Sequence, residues 1–269
     1  MLTLVPTPIG NLDDLSFRSL KTLQSAELIF CEDTRVTKKL LHLLEKKYQT
    51  TFDCNDFRSL HHHNEHKVLA SLHPQELIDK NVAYVSDAGM PCISDPGANL
   101  VQYCIEKNIS YDVLPGANAI LTAFAMSGFE HTAFTFFGFL PHKGKERQQK
   151  LSSVIQHINL AILYESPHRL AKLLEELNSL IPLRTIFLAK ELTKLHQNSF
   201  KGTAQEIYKQ FQTHTIKGEW VVIIEPIASL GQALDENDIL ELDLPPKQKA
   251  KLLAKLSGKN TKEIYNTLI

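Results

Sequence analysis

The sequence predicts an α/β protein of two sheet-and-helix units followed by a small helical tail, and three observations carry that expectation. Short apolar runs of strand length alternate with longer Leu-rich stretches, the pattern of a mainly parallel sheet covered on both faces. The chain has 269 residues, long for one ordinary domain and comfortable for two. Near the C-terminus the charge reverses sign: five acidic residues in 235–243 give way to six lysines and no acid in 245–262.

Each element follows from local pattern. Residues 2–5 (LTLV) read as a buried strand, broken by Pro6, Pro8, Gly10 and Asn11. Ser16 stands where a helix cap belongs, with Phe17, Leu20 and Leu23 on one face of the helix that follows. Residues 26–31 (AELIFC) form a second strand, then come EDTR (32–35) and a helix holding Leu40, Leu41, Leu43 and Leu44. Strands at 82–86 and 111–114 flank a helix that carries Leu100, Val101 and Ile105. The turn PGAN (115–118) opens an apolar helix, and four more strands follow at 133–137, 160–164, 184–189 and 219–224. These divide the chain into an N-terminal α/β domain at 1–116, a C-terminal α/β domain at 117–227 and a Lys-rich helical tail at 228–269. The second domain's connections leave room for a mixed sheet. The tail reads as two short helices around the Ser257–Gly258 turn, with Asn260 capping the second and Ala250, Leu253, Leu256, Ile264 and Leu268 as the apolar seam.

Composition narrows the function. An apolar fraction of 43% and a charged fraction of 22% are those of a soluble globular protein. The net charge of −1 gives no overall basic field, so any RNA contact falls to local patches. The four cysteines, at 31, 54, 92 and 104, form no CxxC pair and suit a reducing compartment. The N-terminal apolar run lacks a basic start and is broken by Pro6, and no run approaches the ~20 apolar residues of a membrane span. A cytoplasmic protein with no membrane partner is expected.

Several chemistries find no motif. GxGxxG, HExxH, GxSxG and EF-hand patterns are missing. The stretch from Gly138 to Arg147 has the wrong glycine spacing for a phosphate loop, and Glu146 replaces its Ser or Thr. His61, His62 and His63 cannot all face one ion from a regular element, so they read as a polar loop and no metal is expected.

What remains is a set of loops at strand ends: TPIGN (7–11), EDTR (32–35), HHHNE (61–65), SDAGMPCISDPG (86–97), PGAN (115–118), ESPHR (165–169) and KELTK (190–194). Open α/β sheets bind ligands outside the carboxyl ends of their strands. The 86–97 loop is long and dense in Gly, Pro and Asp, which favours a binding role over mere connection. Its Gly89 and Gly97 would let backbone approach a ligand closely.

Taken in order with HNE, FxGFLP and KGE, these loops resemble those of the small-subunit ribosomal RNA methyltransferases in the tetrapyrrole methylase superfamily. VSDAGMPCISDPG together with ESPHR is the most specific part of the likeness, which runs from Met1 to about Ile224. Met90, Cys92 and Asn118 depart from the residues usual at those places. The resemblance implies two αβα domains of tetrapyrrole-methylase type with a cofactor, S-adenosyl-L-methionine, held in the cleft between them. It implies 2′-O-methylation of a cytidine ribose in the decoding region of 16S rRNA, with the small ribosomal subunit as partner and a homodimer as assembly. By matching loops it points to Pro8, Asp87, Ala88, Gly89, Ile93, Ser94, Asn118, Ala119, Tyr164 and Glu165 as cofactor contacts.

Transfer to a ribose oxygen also needs a group that takes the hydroxyl proton. Glu32, Asp33, Arg35, His63, Glu65, Glu191 and Lys194 are candidates, with Asp33, Arg35, Glu65 and Lys194 set at the acceptor. EDTR admits a second reading, an internal ion pair. RNA contacts are expected from Lys143, Lys145 and Arg147, from Arg169, and from Lys247, Lys249, Lys251 and Lys255 of the tail. Two other functions stand beside this one: a small-molecule methyltransferase of tetrapyrrole type, and a non-catalytic RNA-binding assembly factor.

Overall fold

The computed structural model describes residues 1–227 and 235–268, so the expected start of the tail at 228–234 and residue 269 lie outside the described residues. The chain divides into two compact units, Met1–Pro226 and Ile227–Ile269.

The first unit opens with β1 (Leu2–Leu4), α1 (Phe17–Ser25), β2 (Leu28–Cys31), α2 (Thr34–Tyr48), β3 (Asp56–Ser59), α3 (Glu65–Ser71), α4 (Pro74–Asp79), β4 (Val82–Val85), α5 (Ala98–Glu106) and β5 (Tyr111–Val113). These strands make a five-stranded sheet in the order β3-β2-β4-β1-β5, parallel throughout. Side chains alternate across it. Leu28 and Phe30 pack on one face with Leu2, Leu4, Tyr84 and Leu100, while Ile29 and Cys31 pack on the other with Val5, Ala83, Val85 and Leu44. Burial on both faces is why these strands read as unbroken apolar runs.

The same unit continues with α6 (Ala119–Ser127), β6 (Phe134–Phe139), α7 (Gly144–Ile155), β7 (Leu160–Glu165), α8 (Pro167–Leu180), β8 (Thr185–Lys190), β9 (Asn198–Thr203), α9 (Ala204–Phe211) and β10 (Trp220–Ile224). Their sheet, ordered β6-β7-β10-β8-β9, is mixed. Only β6 and β7 run parallel; β10 is antiparallel to β7 and β8, and β9 to β8. One face carries Leu163, Leu188 and Val222 against α8 and α9; the other carries Ile162, Ala189 and Val221, with Ile9, Ala119 and Tyr164 packed on them.

Local chemistry sets the helix starts. The Ser16 hydroxyl accepts from Ser19 N at 3.0 Å, as expected of a cap. Asn118 caps α6 by accepting from Leu121 N at 3.0 Å, and Gly128 ends that helix in the left-handed conformation. Pro167 occupies the first turn of α8, where a missing N–H costs nothing.

Two helix faces differ from expectation. Phe17 is 69% exposed, because Ser19 and Leu23 form the buried stripe of α1 and Lys21 covers the Phe17 ring from outside. Ile105 is also exposed; Leu100 and Cys104, four residues apart, are the buried pair of α5. Strands β3 and β9 add an edge to each sheet beyond the predicted strands.

The second unit holds α10 (Glu236–Glu241), α11 (Pro246–Ser257) and α12 (Thr261–Leu268). The acidic stretch is itself a helix, started by a reciprocal Asp235–Asp238 capping box at 2.8 Å in each direction. Gly258 ends α11 and Asn260 accepts from Lys262 N at 2.9 Å. Ala250 and Leu253 are buried as expected, whereas Leu256 is exposed and Ile239 joins the core of this unit.

No helix among the described residues is long and apolar enough to cross a membrane. No group of three or more His, Cys, Asp or Glu among them is placed to hold a metal ion.

Candidate active site

β1 and β4 are neighbours, so the loops leaving their carboxyl ends lie side by side. Thr7 and Gly89 exchange both backbone hydrogen bonds at 3.0 Å, which joins the TPIGN loop to the 86–97 loop. Gly89 has φ +88°, and a side chain there would meet Ile9 Cγ2 at 3.1 Å. The positive φ favours glycine, and a side chain there would also press on Ile9. The far end of the loop is seated by the Tyr84 hydroxyl, which donates to Pro96 O at 2.7 Å. From the second half, the N-terminus of α6, the end of β7 and the segment after β8 face these loops.

Between them lies a cavity of about 420 Å³, within the range of small-molecule sites. The first half supplies Ile9, Glu32, Asp87, Ala88, Gly89, Met90, Ile93, Ser94 and Asp95. The second supplies Asn118, Ala119, Phe139, Tyr164, Glu165, Ser166, Pro167, Ala189, Leu192, Glu219, Trp220 and Val221.

The lining carries the carboxylates of Glu32, Asp87, Asp95, Glu165 and Glu219, and no lysine, arginine or histidine among the described residues. Burial raises the Asp87 carboxyl above its usual range. Glu32 is raised by burial and then by the charge of Asp87. Asp95 is pushed up to about 6, by burial first and Glu32 second. Tyr164 is pushed up to about 12 by burial, with Asp95 adding to it. Desolvation and like charge both penalise the ionised form, so the cavity favours a positive ligand that relieves them.

Of the expected cofactor residues, Asp87, Ala88, Gly89, Ile93, Ser94, Asn118, Ala119, Tyr164 and Glu165 line this cavity, and Pro8 does not. Ile9, the next residue of the same loop, lines it instead.

The expected acceptor-side residues stand outside the lining. Asp33 caps α2 through Arg35 N at 2.8 Å and pairs with the Arg35 guanidinium at 2.6 Å. That hydrogen-bonded arginine holds the Asp33 carboxyl down at about 2. The internal ion pair is thus the arrangement EDTR adopts. Glu65 is 3% exposed; its oxygens accept from Gly97 N at 3.1 Å and Asn99 Nδ2 at 2.7 Å. Glu65 anchors the end of the 86–97 loop rather than facing the cavity. Lys194 bridges Glu191 and Glu219, each at 2.9 Å. Burial works against its charge, but the two carboxylates prevail and raise its pKa.

Two arginines expected at RNA are corrected. Arg147 is 2% exposed and binds Glu176 at 2.7 Å and Pro141 O at 3.1 Å. Arg169 binds Glu165 at 2.7 Å and Leu140 O at 2.8 Å. Their charges are spent inside the protein. Lys143 and Lys145 are exposed at the start of α7, and Lys247, Lys251 and Lys255 are exposed on α11, while Lys249 donates to Leu240 O.

Asp95, Phe139, Leu192 and Glu219 escaped the sequence reading. For Asp95 a signal existed: the dipeptide Ser-Asp occurs twice in the same loop, at 86–87 and 94–95. Four non-glycine residues with positive φ bracket the cavity, Cys92 at 68° and Ser94 at 62° on one side, Glu191 at 50° and Thr193 at 64° on the other. Such strain gathers at binding sites, where surrounding structure enforces it.

Known proteins share this pattern. The family model for Tetrapyrrole (Corrin/Porphyrin) Methylases matches residues 1–208. Ribosomal RNA small subunit methyltransferase I of Campylobacter fetus is 46% identical, covering 100% of both chains. The protein of that name from Helicobacter pylori is 44% identical over 98% of this chain and 96% of its own. Among solved structures, diphthine synthase superposes with a TM-score of 0.61 at 12% identity, covering 84% of this chain and 89% of that one. Uroporphyrin-III C-methyl transferase from Thermus thermophilus, complexed with S-adenosyl homocysteine, has a TM-score of 0.55 at 12% identity, covering 82% and 96%. At those identities the solved structures speak for the fold alone.

Proposed function

The chain belongs to the tetrapyrrole methylase family, and within it to the ribosomal RNA small subunit methyltransferases I, and from that premise we propose that it uses S-adenosylmethionine to methylate the ribose 2′-oxygen of a decoding-region cytidine in 16S rRNA. The observation that carries the donor is the charge of the cavity. Glu32 and Asp87 line it, and the lining holds no basic side chain among the described residues. A nucleotide triphosphate would be repelled there; a ligand bearing a sulfonium and an ammonium is attracted. At an effective dielectric near 20, one unit-charge pair at ~4 Å contributes about 4 kcal/mol, enough to decide the sign of the ligand.

The donor arrives activated and supplies the methyl group without metal or covalent help. The chain's own residues bind, align and exclude water. Asp87 faces the positive charge, Gly89 lets backbone close on the ligand, and Ile93, Ala119 and Tyr164 supply apolar walls. Asn118, Ser94, Ala88 and Glu165 complete the pocket. In this proposal residues 1–116 and 117–227 are the two lobes that share the donor. Residues 228–269 form an RNA-binding tail, whose lysines join Lys143 and Lys145 in salt-sensitive contact with phosphates. The enzyme works in the cytoplasm, as a homodimer, on small-subunit particles.

The test uses methyl-labelled S-adenosylmethionine with free 16S rRNA, small-subunit particles and porphyrinoids, followed by nuclease digestion and nucleoside mass spectrometry. Label in 2′-O-methylcytidine from the particles is expected. Label on a base, on a porphyrinoid or nowhere would refute the assignment.

A further inference from the structure

We propose that Asp95 receives the proton of the acceptor hydroxyl, so that the loop expected to bind the donor also carries the general base. This rests on the methyl-transfer reading above and names a residue that reading leaves open.

A ribose hydroxyl is a weak acid, so a group at the reacting oxygen must be free to take its proton. The carboxylates in and around the cavity differ in that freedom. Glu165 holds Arg169 at 2.7 Å, Glu219 holds Lys194 at 2.9 Å, and Asp33 holds Arg35 at 2.6 Å. Glu65 is closed by Gly97 and Asn99. Asp87 accepts from Asp33 N at 3.1 Å, and Glu32 accepts the backbone N–H of Asp87. Among the described residues Asp95 has the Ser86 hydroxyl beside it and no lysine or arginine paired with it.

Its position suits the role. Asp95 lines the cavity from the first half, and Tyr164 lines it from the second. The charged and titratable groups around it are Glu32 at the end of β2, Asp87 after β4 and His62 in the β3–α3 loop. Tyr84 of β4, Cys92 of its own loop and Tyr164 of β7 complete the set. His62 favours the ionised form, while burial, Glu32 and Asp87 oppose it, and the balance lifts the carboxyl to about 6. A base with that value is ionised at neutral pH yet basic enough to share the proton in the transition state.

The bookkeeping of the step is simple. The O2′–H bond breaks as its proton passes to an Asp95 oxygen, and the oxygen's electron pair forms the bond to the methyl carbon. The S–CH3 bond breaks with its pair returning to sulfur, leaving a neutral thioether.

The test compares the full-length wild type with Asp95→Asn and Asp95→Glu in single-turnover transfer to small-subunit particles from S-adenosylmethionine. Donor affinity is measured by calorimetry, and carboxyl titration is followed by carbon NMR on the protein alone. Asp95→Asn is expected to slow transfer by about 10²–10⁴-fold and to hold donor affinity within about threefold, the signature of an interaction made only in the transition state. Asp95→Glu is expected to recover part of the rate with a shifted pH profile. A carboxyl titrating near the value cited above should vanish from the NMR spectrum of Asp95→Asn. Transfer by Asp95→Asn within a few-fold of wild type, a parallel loss of donor affinity, or no such carboxyl would overturn the proposal. A wild type that transfers nothing to RNA would remove the functional reading itself, and the base with it.

Discussion

The guanidinium of Arg169 stands 2.7 Å from the carboxylate of Glu165, four residues earlier at the end of β7, and Arg147 approaches the second oxygen of the same glutamate to 3.8 Å. Glu165 is fully shielded from solvent at its side chain. Arg169 goes on to Leu140 O and Arg147 to Pro141 O, so the two arginines tie the segment after β6 to the end of β7. That bracket fixes one wall of the cavity, where Tyr164, Glu165 and Phe139 meet.

Arg147→Ala is expected to destabilise the fold by about 3–5 kcal/mol, because it removes a buried guanidinium and breaks its ion pair with Glu176 and its hydrogen bond to Pro141 O. Equilibrium unfolding in denaturant measures this. An unchanged midpoint, with a lowered salt dependence of RNA binding, would instead return Arg147 to the RNA surface.

Asp87→Ala is expected to weaken S-adenosylmethionine binding by about tenfold or more, the loss of one partly screened charge contact. Isothermal calorimetry checks it, and unchanged affinity would remove Asp87 from the donor site.

Asp95 gives a pH dependence whose sign is opposite to that of a paired carboxylate. Its folded-state pKa is about 6, against an ordinary value of 3.8, so the folded state binds more protons between those values. Its ionisation therefore costs stability as pH rises through about 6, and costs nothing well below 4. Asp95→Asn is expected to stabilise the protein at pH 8 by roughly 1–2 kcal/mol, discounted for partial solvent screening. Thermal unfolding at pH 8 and near pH 4 should show the gain disappear at the lower pH. A gain that persists there would contradict this electrostatic origin.

Removing residues 227–269 is expected to lower affinity for small-subunit RNA and flatten its salt dependence while leaving donor affinity intact. The tail is its own compact unit, with Lys247, Lys251 and Lys255 exposed on α11. Filter binding across a salt series checks it; identical slopes would exclude the tail from RNA contact.

The central strands were legible because LIFC and VAYV are buried on both faces, which leaves no polar interruption. DFRS and NSFKGT were not, because edge strands are half solvated and carry the polar residues of a loop. The 86–97 loop announced itself by length and by Gly, Pro and Asp. Arg147 did not: its partner Glu176 lies 29 residues away, and only the folded chain shows that its charge is internal. Likewise Glu219 and Val221 reach the cavity through the pairing of β10 with β7 and β8, which local pattern does not specify.

The most direct test is a crystal structure of the protein soaked with S-adenosylmethionine. The donor is expected in the cleft between the two sheets, its sulfonium beside Glu32 and Asp87 and its body against Gly89 and Tyr164. Donor density elsewhere on the molecule, or an empty cleft at saturating donor, would contradict the account.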